Sequence, residues 1–237
     1  MKVVLFCGGL GMRIRDEENV PKPMITIGYR PILWHLMRYY AHFGHTHFVL
    51  CLGYRGEMIR EFFEQDEEPR PAWRIDLVDT GQDATIAERL RAVKDRLEGD
   101  ELFLANYSDG LSDLPLPSYL EAFRARDAVA GFVAVRNPQS FHVVSVDPAG
   151  TVTAFTRAQD ADVWINGGFF VFRPAIFDYI HDGEELVEAP FRRLMQAGRL
   201  YSYKHQGFWA AIDTYKDKVS FDRRQACGDT PWEVWKT

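Results

Sequence analysis

The chain has 237 residues, 46% hydrophobic and 26% charged, which suits one globular domain and excludes a disordered, collagen-like or low-complexity protein. A formal net charge of -6 argues against a general nucleic-acid binder, which needs a basic face, but leaves room for a small basic pocket that takes phosphates. The cysteines Cys7, Cys51 and Cys227 are odd in number and form no C-x-x-C, so reduced thiols in a cytoplasmic protein fit better than a disulfide framework or zinc ribbon.

Met1–Cys7 is too short, and too soon followed by glycines, for a signal peptide. No apolar run approaches the ~20 residues that span a bilayer. Lys2–Cys7 reads instead as a buried parallel strand, apolar on both faces. Pro31–Phe43 predicts a helix with Ile32, Leu33, Leu36, Met37, Tyr40 and Phe43 on one face and Gly44 as its stop. Phe48–Cys51 is the next strand, Gly56–Glu64 a short helix and Ile75–Val78 a third strand. Thr85–Leu97 reads as a helix with Ile86, Leu90, Val93 and Leu97 in one stripe. Leu102–Asn106 is a fourth strand, ending at Tyr107-Ser-Asp-Gly110. This alternation predicts an α/β fold, Rossmann-like, with a mixed, mainly parallel central sheet and helices on both faces. Ligands in such sheets lie beyond the carboxyl ends of the strands, so the loops after strands one and four come first. The second half is richer in strands: Gly131–Val135, His142–Val146, Val152–Phe155, Gly167–Phe172 and Leu200–Lys204. Helices are expected at Pro174–Ile180, Glu184–Ala197 and Thr214–Gln225.

Three groups of residues carry chemistry. Gly8-Gly9-Leu10-Gly11-Met12-Arg13 follows the first strand, where glycine amides can approach an anionic oxygen and Arg13 adds a forked cation. The bland alternative is a tight turn without a ligand. The loop lacks the third glycine of a Rossmann fingerprint, and Leu52-Gly53 stands where a dinucleotide-binding strand would end in an acid, which argues against a dehydrogenase. Pro21-Lys22-Pro23 stiffens the chain on both sides of one lysine, and a rigidly aimed ammonium near a phosphate loop suits charge stabilisation in a transition state. Asp109 and Asp213 each follow an apolar run and offer the hard oxygens that bind Mg²⁺. A turn former before Gly110 and a helix N-cap before Thr214 are their alternative roles. Asp113 looks more like turn chemistry, and His42, His45 and His47 more like a surface group than a metal site.

These residues, with Gly28-x-x-Pro31-Ile-Leu-Trp-His35, Asp79-Thr-Gly81, Ile165-Asn-Gly-Gly-Phe-Phe170, Gly207-Phe-Trp209, Asp213-Thr214 and Pro231-Trp-Glu-Val-Trp235, resemble the sugar-1-phosphate nucleotidyltransferases over essentially the whole chain. The resemblance is strongest to the glucose-1-phosphate cytidylyltransferase branch. It implies a glycosyltransferase-A-like fold in one domain, 1–237, with a nucleotide-binding half near 1–115 and a sugar-phosphate half near 116–237. It implies attack by a sugar 1-phosphate on the α-phosphorus of a nucleoside triphosphate, CTP favoured, with pyrophosphate leaving and Mg²⁺ as cofactor. Neither nucleic acid nor membrane is expected as a partner, and a homo-oligomer is compatible with the resemblance. Gly8, Gly9, Leu10, Gly11, Met12 and Arg13 would hold the triphosphate, Lys22 would bridge the reacting phosphates, and Asp109 and Asp213 would hold the metal. Thr80, Gly81 and Arg89 would lie near the base with Ser108 beside the phosphates. Asn166 and Gly167 would face the sugar, and His142 and Arg157 border it.

Two departures stand out. Thr156-Arg157-Ala158-Gln159 replaces the family's Glu-Lys-Pro, so Arg157 would have to supply a missing cation. Ala87-Glu88 replaces a glycine pair beside the base. They keep two further readings open: a different nucleotide or phosphorylated acceptor, and a non-catalytic nucleotide-sugar-binding regulatory subunit.

Overall fold

Val3, Val4 and Leu5 are fully buried, as a strand covered on both faces requires. The computed structural model describes residues 1–9, 20–65, 72–136, 141–158 and 160–236. Among them, eight strands form the central sheet: β1 (Lys2–Phe6), β2 (His47–Leu52), β3 (Arg74–Asp79), β4 (Phe103–Tyr107), β5 (Ala130–Arg136), β6 (Trp164–Asn166), β7 (Phe170–Phe172) and β8 (Leu200–His205). β1 pairs in parallel with β2 and β4, and β2 in parallel with β3. β7 runs antiparallel to β4 and β5, and β8 lies parallel to β5. The sheet is therefore parallel in its first half and mixed in its second, as expected.

Alternate residues of β1 feed two cores. Val3 and Leu5 join Leu33, Leu36 and Tyr40 of α1 (Ile32–His42), Ile59 and Phe63 of α2 (Gly56–Gln65) and Phe123 of α4 (Leu116–Arg124). Val4 and Phe6 join Ala87 and Leu90 of α3 (Ile86–Ala92) and Leu194 of α5 (Ala189–Gln196) on the other face. A last helix, α6 (Tyr215–Ala226), buries Phe221. No helix of the described residues is long and apolar enough to cross a membrane.

Several elements differ from expectation. Gly167–Phe172 is not one strand: β6 and β7 pair with the two ends of β5, and Gly168 and Phe169 between them have φ of 75° and 49°. The Asn106 side chain, accepting from the Phe169 amide at 2.8 Å, holds that break. The helix expected over Glu184–Ala197 begins only at Ala189, and Pro174–Tyr179 is 3₁₀. The Thr85–Leu97 helix gives way to a 3₁₀ turn at Lys94–Leu97. Helix α4, flanked by Pro115, and an antiparallel ribbon of Gly110–Ser112 with Trp209–Ala211 have no counterpart in the sequence reading.

Two histidines are held neutral. Burial pulls the His45 ring down to about 4, helped by the positive N-terminus and Arg124, and burial also lowers His35. The unfolded chain takes up these protons below about 6.5 while the fold refuses them, so stability falls as pH drops from about 6.5 towards 4. Urea unfolding at pH 7 and pH 5 should show this loss. Replacing His45 by Gln should remove only roughly 1 kcal/mol of it, because the ring keeps part of its surface in water. His47 instead pairs with Asp76 at 2.9 Å.

Candidate active site

The ribbon brings together two aspartates far apart in sequence. Ala211 pairs with Gly110, and the Ile212 amide donates to the Asp109 carbonyl at 2.9 Å. Asp109 and Asp213 thus leave the same end of the ribbon. Asp213 is not the N-cap of α6: Thr214 takes that role in a capping box with Asp217, which leaves the Asp213 carboxylate free for the site. Asp113 lies apart and pairs with His205 at 2.8 Å.

Lys22 opens a 3₁₀ turn, with Pro21 before it and Pro23 buried after it. Its Nζ donates to Asp213 Oδ1 at 2.7 Å and to Asp109 Oδ2 at 3.2 Å. Burial alone would lower the lysine, but the two carboxylates outweigh it and raise it above its ordinary value. Burial pushes Asp109 up, and Lys22 pulls back part of that shift. One cation therefore stands between two carboxylates. That donor set fits Mg²⁺, which typically takes one or two carboxylates together with phosphate oxygens and water. Among the described residues no group of three or more His, Cys, Asp or Glu is placed to hold a metal, so a cation here would rest on the two carboxylates, phosphate oxygens and water.

Lys22 and Asp109 line a cavity of about 430 Å³ with Gly8, Gly9, Ser108, Tyr107, Gln82, Asp83, Thr85 and Arg89. It opens where the parallel strands end, as the topology demands. Ser108 Oγ donates to the Phe6 carbonyl at 2.7 Å and ties the ends of β4 and β1. Arg89 reaches back from α3 and is buried. Its guanidinium donates to the carbonyls of Gly8, Leu52, Gly81 and Gln82 and to Thr80 Oγ1, at 2.7–3.1 Å. The side chain read from sequence as lying near the base lines this cavity, and its two Nη atoms hold three strand ends in register. A Cβ on Gly8 would lie 2.0 Å from the Arg89 Nη1 atom, which those bonds prevent from moving aside. Gly8→Ala should therefore lower stability by about 1–3 kcal/mol and weaken nucleotide binding, measured by urea unfolding and calorimetry.

The Ala87-Glu88 departure does not face the cavity. Ala87 is buried, and the Glu88 carboxylate accepts from the Thr85 amide at 2.7 Å in a capping box. Asn166 borders a second cavity of about 890 Å³ with Trp164, Arg192 and Lys204, and its Nδ2 reaches the Tyr107 hydroxyl at 3.5 Å. Gly167 accepts from Trp209 Nε1 at 2.8 Å. Arg157 and His142 face each other across the exposed hairpin of His142–Val146 and Val152–Arg157, and neither lines these cavities. Ala158, next to Arg157, is buried. Leu10, Gly11, Met12 and Arg13 lie outside the described residues, as does Gln159. Sequence reasoning missed Glu185, a carboxylate on the cavity wall, and the ribbon that joins the aspartates.

Residues 2–220 match the nucleotidyl transferase family. The chain is 36% identical to the probable glucose-1-phosphate cytidylyltransferase of Bacillus subtilis (strain 168), over 99% of this chain and 100% of the relative. It is 35% identical to the glucose-1-phosphate cytidylyltransferase of Salmonella typhi, over the full length of both. Two solved structures share the fold. HddC from Yersinia pseudotuberculosis superposes with a TM-score of 0.72 at 18% identity, over 94% of this chain and 99% of that one. A putative glucose-1-phosphate thymidylyltransferase from Bacillus anthracis gives 0.69 at 16% identity, over 94% of each chain. Family match, full-length relatives and fold agree: the chain belongs to the nucleotidyl transferase family and, with it, to the sugar-1-phosphate nucleotidyltransferases.

Proposed function

We propose that the protein joins glucose 1-phosphate to CTP, forming CDP-glucose and pyrophosphate. The observation that carries the chemistry is the meeting of Lys22, Asp109 and Asp213 at one nitrogen, with Lys22 and Asp109 on the wall of a nucleotide-sized cavity and Asp213 on the wall of a neighbouring one. Cytidine and glucose come from the names of the two full-length relatives.

An ionised phosphate oxygen of the sugar phosphate forms the new bond to the α-phosphorus. The bridging α–β P–O bond breaks, and pyrophosphate leaves with its electron pair. The nucleophile is already ionised at neutral pH, so no general base is required, and catalysis is positioning plus charge neutralisation. Lys22 places its ammonium at the phosphate end of the cavity, where it offsets charge that the reacting groups share. Asp109 and Asp213 would hold Mg²⁺, which supplies further charge neutralisation to the triphosphate when bound. Arg89 keeps the Gly8 turn and the Thr80–Gln82 loop at fixed separation, so phosphates and base are received by a pre-shaped site.

The test is pyrophosphate release from each of four nucleoside triphosphates with a panel of sugar 1-phosphates and Mg²⁺. The expected result is turnover with CTP and glucose 1-phosphate above all other pairs. A different preferred pair corrects the substrate, and no turnover with any pair overturns the proposal.

A further inference from the structure

Glu185 belongs to no motif, yet its side chain lines the cavity that holds Lys22 and Asp109. Its placement is fixed from both sides. Glu185 Oε1 accepts from the Leu186 amide at 2.8 Å, and Oε2 faces the Ile86 amide at 3.4 Å. The neighbouring Glu184 carbonyl accepts from Thr85 Oγ1 at 2.8 Å, which ties this segment to the start of α3. Tyr107 lines the same cavity as Glu185.

These contacts locate the carboxylate along the cavity. Ile86 adjoins the loop of Gln82–Thr85 at one end. Tyr107 is two residues before Asp109 at the other. A nucleoside triphosphate lying with its phosphates at Lys22 has its ribose between those ends. The phosphates themselves cannot lie against Glu185 without like-charge repulsion. A carboxylate offers about four acceptor positions and no donor, and the two amides leave others for a ligand. The group that satisfies them at mid-cavity must donate, and a ribose carries two adjacent hydroxyls.

We propose that Glu185 accepts hydrogen bonds from the ribose hydroxyls of the nucleotide and so selects ribonucleotides over 2′-deoxyribonucleotides. This rests on the reading that a nucleotide fills this cavity. A hydrogen bond from a hydroxyl to a charged acceptor is typically worth a discrimination on the order of tenfold to a hundredfold.

The experiment compares dissociation constants and kcat/KM for CTP and 2′-deoxy-CTP, with the other ribo and deoxy pairs alongside, in the unaltered protein, Glu185→Ala and Glu185→Gln. The unaltered protein should prefer the ribonucleotide by on the order of tenfold or more. Glu185→Ala should bring the ratio close to one, and Glu185→Gln, whose amide oxygen still accepts, should give an intermediate ratio. Each ratio is taken within one variant, so a loss of stability common to both nucleotides cancels. An unaltered ratio in Glu185→Ala, or a ratio near one in the unaltered protein, overturns the proposal while nucleotide binding persists. Failure of every nucleotide to bind removes the nucleotide reading itself, and this proposal with it.

Discussion

Asp109→Asn should lower kcat roughly a hundredfold to ten-thousandfold while leaving the fold intact, the range that several kcal/mol of lost charge neutralisation implies. Asparagine keeps the shape of the side chain and loses the charge that faces Lys22 at 3.2 Å. The effect on stability should be small. Burial works against the ionised carboxylate, and the neutral amide escapes that cost while giving up its ion pair with Lys22. Melting temperatures with and without Mg²⁺, set beside pyrophosphate-release rates, separate the two effects. A near-normal rate would remove Asp109 from the chemistry.

Lys22→Ala should lower kcat by on the order of a hundredfold or more and raise KM far less, if the ammonium acts chiefly on charge that develops in the transition state. Loss of KM with kcat preserved would reassign it to ground-state binding. The geometry adds a readout apart from activity. Without the ammonium, Asp109 and Asp213 face one another as partly buried like charges. Mg²⁺ should therefore raise the melting temperature of Lys22→Ala more than that of the unaltered protein, because only the latter carries its own counter-ion. Equal shifts would show that the lysine does not compete for that position.

Much of this frame was legible because it rests on local pattern. β1 is an unbroken apolar run, and the face of α1 follows from its spacing. Lys22 was legible from the prolines on either side, which set its direction without help from the rest of the chain. What was hidden depends on partners distant in sequence. The Gly110–Ser112 and Trp209–Ala211 strands have three residues each, too short to show alternation, and they form by pairing with each other. The resemblance alone places Arg89 near the base, and nothing in its local pattern shows what holds its guanidinium. Only the fold shows four carbonyls converging on it. Glu185 stands inside the helix expected over Glu184–Ala197 and in no motif. Helix α5 starts late because Glu184, within the expected helix, accepts from the His181 amide and from Arg193.

The three groups that meet at Lys22 Nζ come from residues 22, 109 and 213 of 237. No continuous stretch of the chain shorter than 22–213 contains all three. A fragment that stops short of Asp213 keeps the Lys22–Asp109 pair and loses one arm of this charge clamp.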